Sequence, residues 1–148
     1  MASLVDASEN AQPAFEIDLT KLQPCGEDLY WHGCYNTFRD WRKYVTAESF
    51  AHPAKMAPGL CDRILKHLKK LGLLNEDSVV CDFMAGIGTT NIMAALHGYD
   101  SISVELEPHF IEMGKGNRER LKRLTGKSNG WEVIQGDARE LTSLLEDK

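Results

Sequence analysis

The sequence predicts an α/β fold in which about three strands form part of a doubly wound parallel sheet flanked by helices. Short apolar segments at 79–82, 101–105 and 131–135 alternate with amphipathic segments long enough to be crossover helices. Each apolar segment ends in a turn that contains a glycine or an acidic residue. Because parallel strands end at the same edge of a sheet, these residues predict a ligand site along that edge.

The first strand leads into the most informative stretch, VVCDFMAGIGTT. The strand ends at Asp82, a Gly-x-Gly turn follows at Gly86 and Gly88, and a helix is predicted over 89–96. Glycine has no Cβ, so the backbone there can turn tightly and lie against a bound molecule. Glycines between a strand and a helix are also common in simple turns, so this motif alone leaves both interpretations open.

The second strand ends at Glu105, about 20 residues beyond the glycine turn. An acidic side chain at this distance can accept hydrogen bonds from both hydroxyl groups of a ribose. A solvated glutamate at a strand end is the alternative. The matching distance from the glycine turn favours the nucleoside interpretation.

The third strand is followed by Gly136, Asp137 and a last helix predicted over 139–145. A carboxylate at this strand end can accept a hydrogen bond from an adenine amino group. Aspartate is also a good helix N-cap. The sequence leaves the two roles open.

Two longer helices complete the pattern. The first begins at Pro58, carries an apolar stripe at helical spacing and ends before Gly72. The second runs from Pro108 to about Leu124, and the basic residues late in it are typical of a solvated helix end. Lys55, just before the first helix, can point to an anion or to water, and its spacing favours water.

Composition limits the function classes. A chain of 148 residues has the length of one domain, and its net charge of -5 lacks the basic excess of a free-standing nucleic-acid binder. No apolar run approaches the ~18 residues of a membrane span, and no secretory leader is evident, so we expect a cytoplasmic location. The four cysteines form no CxxC pair, and Cys25, His32 and Cys34 lack a fourth ligand, so no metal site is predicted.

Aromatic and basic residues are interleaved between Leu22 and Tyr44. Such side chains can stack on bases and hold phosphates. The alternative, which we favour, is an irregular segment whose rings anchor it to the main body, because aromatic side chains bury most of their surface.

Together these motifs resemble the cofactor-binding half of the S-adenosylmethionine-dependent DNA methyltransferases that modify adenine N6 or cytosine N4, especially those of phages. DFMAGIGTT resembles the family's DP(F/M)xGSGTT motif, SVELEPHFIEMG its ribose-binding motif, and IQGDARELTSLL its third strand with an adenine-contacting Asp. HPAKMAPGL resembles the segment that closes over the methionine end of the cofactor. The similarity covers about 50–145, in the family's order and spacing, and departs from it at Phe83 and Ile87, where the family has Pro and Ser.

The resemblance implies a Rossmann-like methyltransferase domain over 22–148, with an aromatic-rich lead-in at 22–49 and a motif core at 50–145. The small, polar residues at the start of the sequence, which show no periodicity, predict a disordered segment at 1–21. Carried over residue by residue, the resemblance implies that the first strand end and its glycine turn line the methionine moiety, that Glu105 takes the ribose hydroxyls, that Asp137 meets the adenine and that Lys55 or its neighbours approach the cofactor's carboxylate. The expected cofactor-binding residues are His52, Pro53, Lys55, Asp82, Met84, Ala85, Gly86, Gly88, Thr89, Thr90, Glu105, Leu106, Asp137 and Ala138.

One family motif is missing. These enzymes, many of them in restriction-modification systems, use a (D/N/S)PP(Y/F) loop to accept the amino hydrogens while its ring stacks on the flipped base. The five prolines of this sequence are never adjacent, so no catalytic residue is assigned. We expect a truncated or split methyltransferase, with the PPY loop and most DNA contacts supplied by a complementary chain or a missing part. The alternatives are an inactive cofactor-binding remnant and a fragment of an RNA guanosine N2-methyltransferase, which shares a similar GDAR…PPY arrangement.

Overall fold

A computed structural model describes residues 34, 41–53, 55–127 and 130–146, and these form an α/β unit around a parallel sheet. The predicted fold class is confirmed. The strands are β1 (Val79–Asp82), β2 (Asp100–Glu105) and β3 (Trp131–Gln135). The α-helices are α1 (Pro58–Lys70), α2 (Thr89–His97), α3 (Pro108–Thr125) and α4 (Leu141–Leu144), and short 3₁₀ helices lie at Trp41–Tyr44, Glu48–Ala51 and Ala138–Glu140.

The sheet has the order β1-β2-β3, and both pairings are parallel. Parallel neighbours need a crossover, which α2 and α3 provide. Helix α2 packs on β1 and β2, α3 packs on β2 and β3, and α2 also contacts α1 and α3. All three strands therefore end at one edge, with β2 in the centre.

Prolines and glycines in the sequence mark the boundaries of the two longer helices. Helix α1 begins at Pro58, where the missing backbone N–H costs nothing, and ends just before Gly72, which takes φ +76°. Helix α3 likewise begins at Pro108 and is followed by Gly126 at φ +70°. Both predicted helices are confirmed.

The last predicted helix differs from the prediction. In place of one helix over 139–145, the chain forms a 3₁₀ turn at Ala138–Glu140 and then the single turn of α4. Glu140 has φ -101° and ψ 18°, which interrupts helical geometry. The tight turn is stabilised by the Asp137 carboxylate, which accepts the backbone N–H of Arg139.

The described part of the aromatic lead-in is anchored in the core. Trp41, Tyr44 and Val45 are buried against Ile87 and Leu121, in a cluster that extends to α2, α3 and β3. For Trp41 and Tyr44 the structure therefore agrees with anchoring rather than base stacking. The other lead-in aromatics, the segment 1–21, Cys25 and His32 lie outside the described residues.

No helix in the described part of the chain is both long and apolar enough to cross a membrane. In the same residues, no group of three or more histidine, cysteine, aspartate or glutamate side chains is arranged to hold a metal ion.

A small ionic cluster joins α1 to α2. Asp62 accepts hydrogen bonds from Lys66 Nζ (2.7 Å) and His97 Nε2 (2.8 Å). Burial alone would raise the pKa of Asp62, but these two partners outweigh it and lower the pKa below 3.8. Since the folded pKa is the lower one, the contribution to stability is present above pH 3.8 and is lost as the pH falls through the folded pKa.

We expect Asp62→Asn to reduce the free energy of unfolding at pH 7 by about 1.5 kcal/mol, the usual size for hydrogen bonds to a charged group. The variant should also lose less stability than the unaltered chain between about pH 5 and pH 2. Urea unfolding at several pH values measures both effects, with Asp77→Asn as a control that removes a charge outside this cluster. Parallel pH profiles for Asp62→Asn and the unaltered chain would contradict the assignment.

Candidate cofactor site

The turn after β1 depends on two glycines with positive φ. Gly86 has φ +53° and Gly88 has φ +80°, whereas no non-glycine residue in the described part of the chain has a positive φ. Ile87 between them can therefore keep an ordinary backbone conformation, and its side chain is only 2% exposed. The β-branched residue that departs from the family motif is a core residue, held inward by the glycines on either side.

Both glycines are also required by close contacts. A Cβ on Gly88 would lie 2.3 Å from the ring of Trp131, and a Cβ on Gly86 would lie 3.0 Å from His52 Nε2. Any side chain here would displace an aromatic ring. The turn is thus packed against β3 on one side and against the segment before α1 on the other.

Glu105, the last residue of β2, is bonded directly to this turn. Its Oε2 accepts the backbone N–H of Gly86 at 2.7 Å, and its Oε1 accepts the N–H of Glu107 at 2.9 Å. A carboxylate has about four acceptor positions. Two positions therefore remain, which is the number that the two hydroxyl groups of a ribose require.

Backbone hydrogen bonds hold the three strand ends side by side. The N–H of Ala85, after β1, donates to the carbonyl oxygen of Val104, and the N–H of Gly136, after β3, donates to that of Glu105, both at 3.1 Å. The end of β2 is therefore the centre of the site. The predicted convergence of strand ends along one edge is seen in the structure.

Two adjacent cavities open at this edge. One, of about 320 Å³, contains Glu105 and Asp137, and the other, of about 200 Å³, contains Asp82 and Lys55. The first is lined by Phe83, Met84, Glu105, Leu106, Glu107, Gly136, Asp137 and Ala138, and the second by Lys55, Met56, Asp82, Met84, Ala85, Gly86, Ile87, Thr89 and Thr90. Met84 contributes to both walls, so the two cavities are neighbours along the edge of the sheet.

The residues around Asp82 fix the floor of the smaller cavity. Asp82 Oδ1 accepts the backbone N–H of Met84 at 3.1 Å, which bends the chain immediately after β1. Thr89 begins α2 and is buried, and Thr90 shares a hydrogen bond with the buried thiol of Cys61, whose pKa is raised to about 12, mainly by burial. The smaller cavity thus has a carboxylate on its floor, beside two threonines.

Asp137 acts as a helix cap in this structure. Its carboxylate accepts the backbone N–H of Arg139 at 2.9 Å and is also held by the guanidinium group of the same residue. These side-chain and backbone hydrogen bonds lower the pKa of Asp137 to about 2. Of the two roles that the sequence left open, the cap is therefore observed, while contact with adenine stays a prediction.

The segment before α1 lies over the glycine turn. The ring of His52 contacts the ring of Phe110, with 4.1 Å between centroids, and approaches Gly86. Lys55 Nζ donates to the backbone carbonyl oxygens of Phe50 (3.2 Å) and His52. The ammonium group therefore holds this bend of the chain, a role that the sequence did not predict. Pro53 is exposed beside it and lines neither cavity.

A comparison with protein families shows to which family the chain belongs. The sequence model of the N6/N4 DNA methylase family matches residues 17–116, which is more than half of the 148 residues. The chain belongs to this DNA methylase family. Membership indicates a DNA amino-methyltransferase with DNA as its substrate. A search of curated proteins finds no match.

The match covers most of the site of this DNA methylase family member. It includes the segment before α1, the glycine turn and Glu105, and it ends within α3, so Asp137 lies beyond it. It also begins well before residue 50, upstream of the motifs from which the resemblance was drawn.

Sequence reasoning missed several residues that line the two cavities. Phe83, which is 44% exposed, and Gly136 and Glu107 line the larger cavity, and Met56 lines the smaller one. Each is next in sequence to a residue that was predicted. Their position next to predicted residues at the strand ends could have identified them, because consecutive residues there enclose one cavity.

Proposed function

We propose that this chain is the S-adenosylmethionine-binding part of a site-specific DNA methyltransferase that methylates an exocyclic amino group of adenine or cytosine. The observation that carries the proposal is the bond from Gly86 N–H to the Glu105 carboxylate, which joins the glycine turn to a ribose-type acceptor at the wall of a cavity. Family membership supports the class of reaction.

The residues at the strand ends fit this cofactor chemically. Glu105 retains two acceptor positions for the ribose hydroxyls, and the larger cavity offers Phe83, Leu106 and Ala138 as apolar contacts for an adenine ring. Asp82 stands at the smaller cavity, beside Thr89 and Thr90, where the methionine end would lie. A site with several carboxylates favours a cationic ligand.

When bound, S-adenosylmethionine supplies an electrophilic methyl group carried on a positively charged sulfur. The chain's own residues would bind and orient it: Glu105 fixes the ribose, Asp82 favours the positive charge, and Gly86 lets the ligand approach the backbone. No residue of this sequence provides the (D/N/S)PP(Y/F) arrangement that accepts the hydrogens of the target amino group. We therefore assign binding and orientation of the methyl donor to this chain, and activation of the base to a complementary chain or segment that carries the PPY motif.

Calorimetric titration tests the binding step. The purified chain should bind one molecule of S-adenosylmethionine and should bind adenosine diphosphate at least tenfold more weakly, because the diphosphate would face the same carboxylates. Absence of S-adenosylmethionine binding at millimolar concentration would refute the proposal.

Transfer from S-adenosylmethionine labelled in its methyl group tests the catalytic step. We expect no label in unmodified DNA with this chain alone, and incorporation when a PPY-containing partner is added. Label transfer to DNA by the chain alone would show that the PPY motif is not required. Label transfer to RNA instead would favour the guanosine N2-methyltransferase alternative, and binding without transfer under every condition would favour the remnant.

The Asp137–Arg139 pair yields a separate prediction. Arg139 makes four contacts with Asp137, two to each carboxylate oxygen, and these occupy its acceptor positions, so an adenine amino group would compete with this arginine. We expect Arg139→Ala to raise the affinity for S-adenosylmethionine about two- to fivefold, the scale of an exposed ion pair. Calorimetry measures the change.

Two matched variants separate competition from a general charge effect. Arg139→Lys keeps the positive charge but cannot form the same forked contact, so it should also raise the affinity. In an Asp137→Asn background, Arg139→Ala should have little effect. An increase that persists in that background would mean that Asp137 does not meet the adenine.

A further inference from the structure

Asn117 of α3 is a fully buried polar residue with three hydrogen bonds to two other parts of the chain. Its Oδ1 accepts the backbone N–H of Thr46 at 2.7 Å and the hydroxyl of Ser49 at 2.9 Å. Its Nδ2 donates to the carbonyl oxygen of Ile87 at 2.9 Å. One side chain therefore links the segment before α1 to the glycine turn.

Around Asn117, helix α3 is in close contact with the segment before α1 and with the glycine turn. Asparagine is a poor residue for a helix interior, and burial of its amide is costly unless the amide is hydrogen-bonded. Gly114, one turn earlier on α3, lies against the same turn: a Cβ there would be in ordinary van der Waals contact, 3.9 Å from the carbonyl oxygens of Gly86 and Ile87. A small residue and a buried amide with three hydrogen bonds thus occupy the face of α3 that meets the turn.

Ser49 connects Asn117 to His52. The carbonyl oxygen of Ser49 accepts the backbone N–H of His52 at 3.4 Å, so the position of Ser49 influences where the histidine ring lies. That ring packs on Phe110 and approaches Gly86. Asn117 therefore bonds to the segment that carries His52 and to the turn that carries Gly86, although it lines neither cavity.

We propose that Asn117 is a positioning residue for the cofactor site, which fixes the segment 46–52 relative to the glycine turn and so sets the distance between His52 and Gly86. The identity of the ligand at this site, S-adenosylmethionine, rests on the proposed function. Asn117 acts through His52 and the turn without touching the cofactor, so loss of its bond to Ser49 should change cofactor affinity only while His52 is present.

The first test needs no ligand. Ser49→Ala removes one bond to Asn117 and leaves the bond to Ile87, and Asn117→Asp keeps the acceptor but replaces the donor to Ile87. In nuclear magnetic resonance spectra of the ligand-free full chain, both variants should shift the amide resonance of Gly86 and the ring resonances of His52. Ser78→Ala is the matched control, because this serine also makes local side-chain hydrogen bonds but lies in the turn before β1.

The second test is a double-mutant cycle on binding of S-adenosylmethionine. Ser49→Ala should weaken affinity about three- to tenfold, and less than twofold when His52 is already alanine. If Ser49→Ala and Asn117→Asp lower the melting temperature but leave both the Gly86 resonance and the affinity unchanged, Asn117 is only structural and the inference is wrong. If the unaltered chain does not bind S-adenosylmethionine, the proposed function fails, and the resonances decide alone: shifts support the coupling, and unchanged spectra overturn it.

Discussion

Replacing Gly88 by alanine is expected to lower the free energy of unfolding by about 2–5 kcal/mol. Alanine at φ +80° costs about 1–2 kcal/mol in backbone energy. The added methyl group would lie 2.3 Å from the Trp131 ring, and overpacking of a core costs a further ~1–3 kcal/mol. Urea unfolding measures the sum.

Gly98→Ala is the matched control. Gly98 has φ +90°, but no atom lies within 4 Å of the position that its Cβ would take. This variant should therefore show the backbone cost alone, about 1–2 kcal/mol. Equal losses for the two variants would mean that Trp131 does not pack against the glycine turn.

Replacing Glu105 by glutamine should weaken binding of S-adenosylmethionine about 100-fold. The amide has nearly the shape of the carboxylate, but it has one acceptor oxygen and carries no charge. Hydrogen bonds to charged groups are worth about 1.5–3 kcal/mol, so weakening those to the ribose and to Gly86 N–H accounts for a loss of this size. Calorimetric titration measures the affinity.

Glu107→Gln controls for charge. Glu107 lines the same cavity and loses the same charge, but its side chain does not bond to the glycine turn. Its affinity should change by less than about threefold, as expected for an exposed charge. If the two variants bind equally well, the Glu105 carboxylate does not hold the ribose.

The sequence was sufficient to predict the strands, the first three helices and the edge of the sheet at which the strand ends converge. Apolar runs of four to six residues, proline at the start of α1 and α3 and glycine after their ends are local features that act in the same way in most proteins. The distance between Gly86 and Glu105 placed the two residues at neighbouring strand ends. The bond between them follows from that register.

Other features depend on contacts between distant parts of the chain. The inward position of Ile87 requires a core built from the aromatic lead-in, α3 and Trp131. Asn117 bonds to residues that are 71 and 68 positions away, and no local pattern shows such a link. The role of Lys55 likewise depends on how the chain bends between Phe50 and His52.

The prediction of one helix over 139–145 was wrong for a different reason. A capping aspartate favoured one helix after β3, but Asp137 also pairs with Arg139 two residues later and stabilises a tighter 3₁₀ turn. Short helices are marginal on their own, so one such contact decides their form.

A crystal structure of the chain with S-adenosylmethionine would test the central claim most directly. We predict a single molecule along the carboxyl edge of the sheet, with both ribose hydroxyls within hydrogen-bond distance of Glu105, the methionine end beside Asp82 and the adenine in the cavity that contains Asp137. A cofactor bound elsewhere, for example in a third cavity of about 680 Å³ between α3 and β3, with Glu105 free of the ribose, would contradict the account.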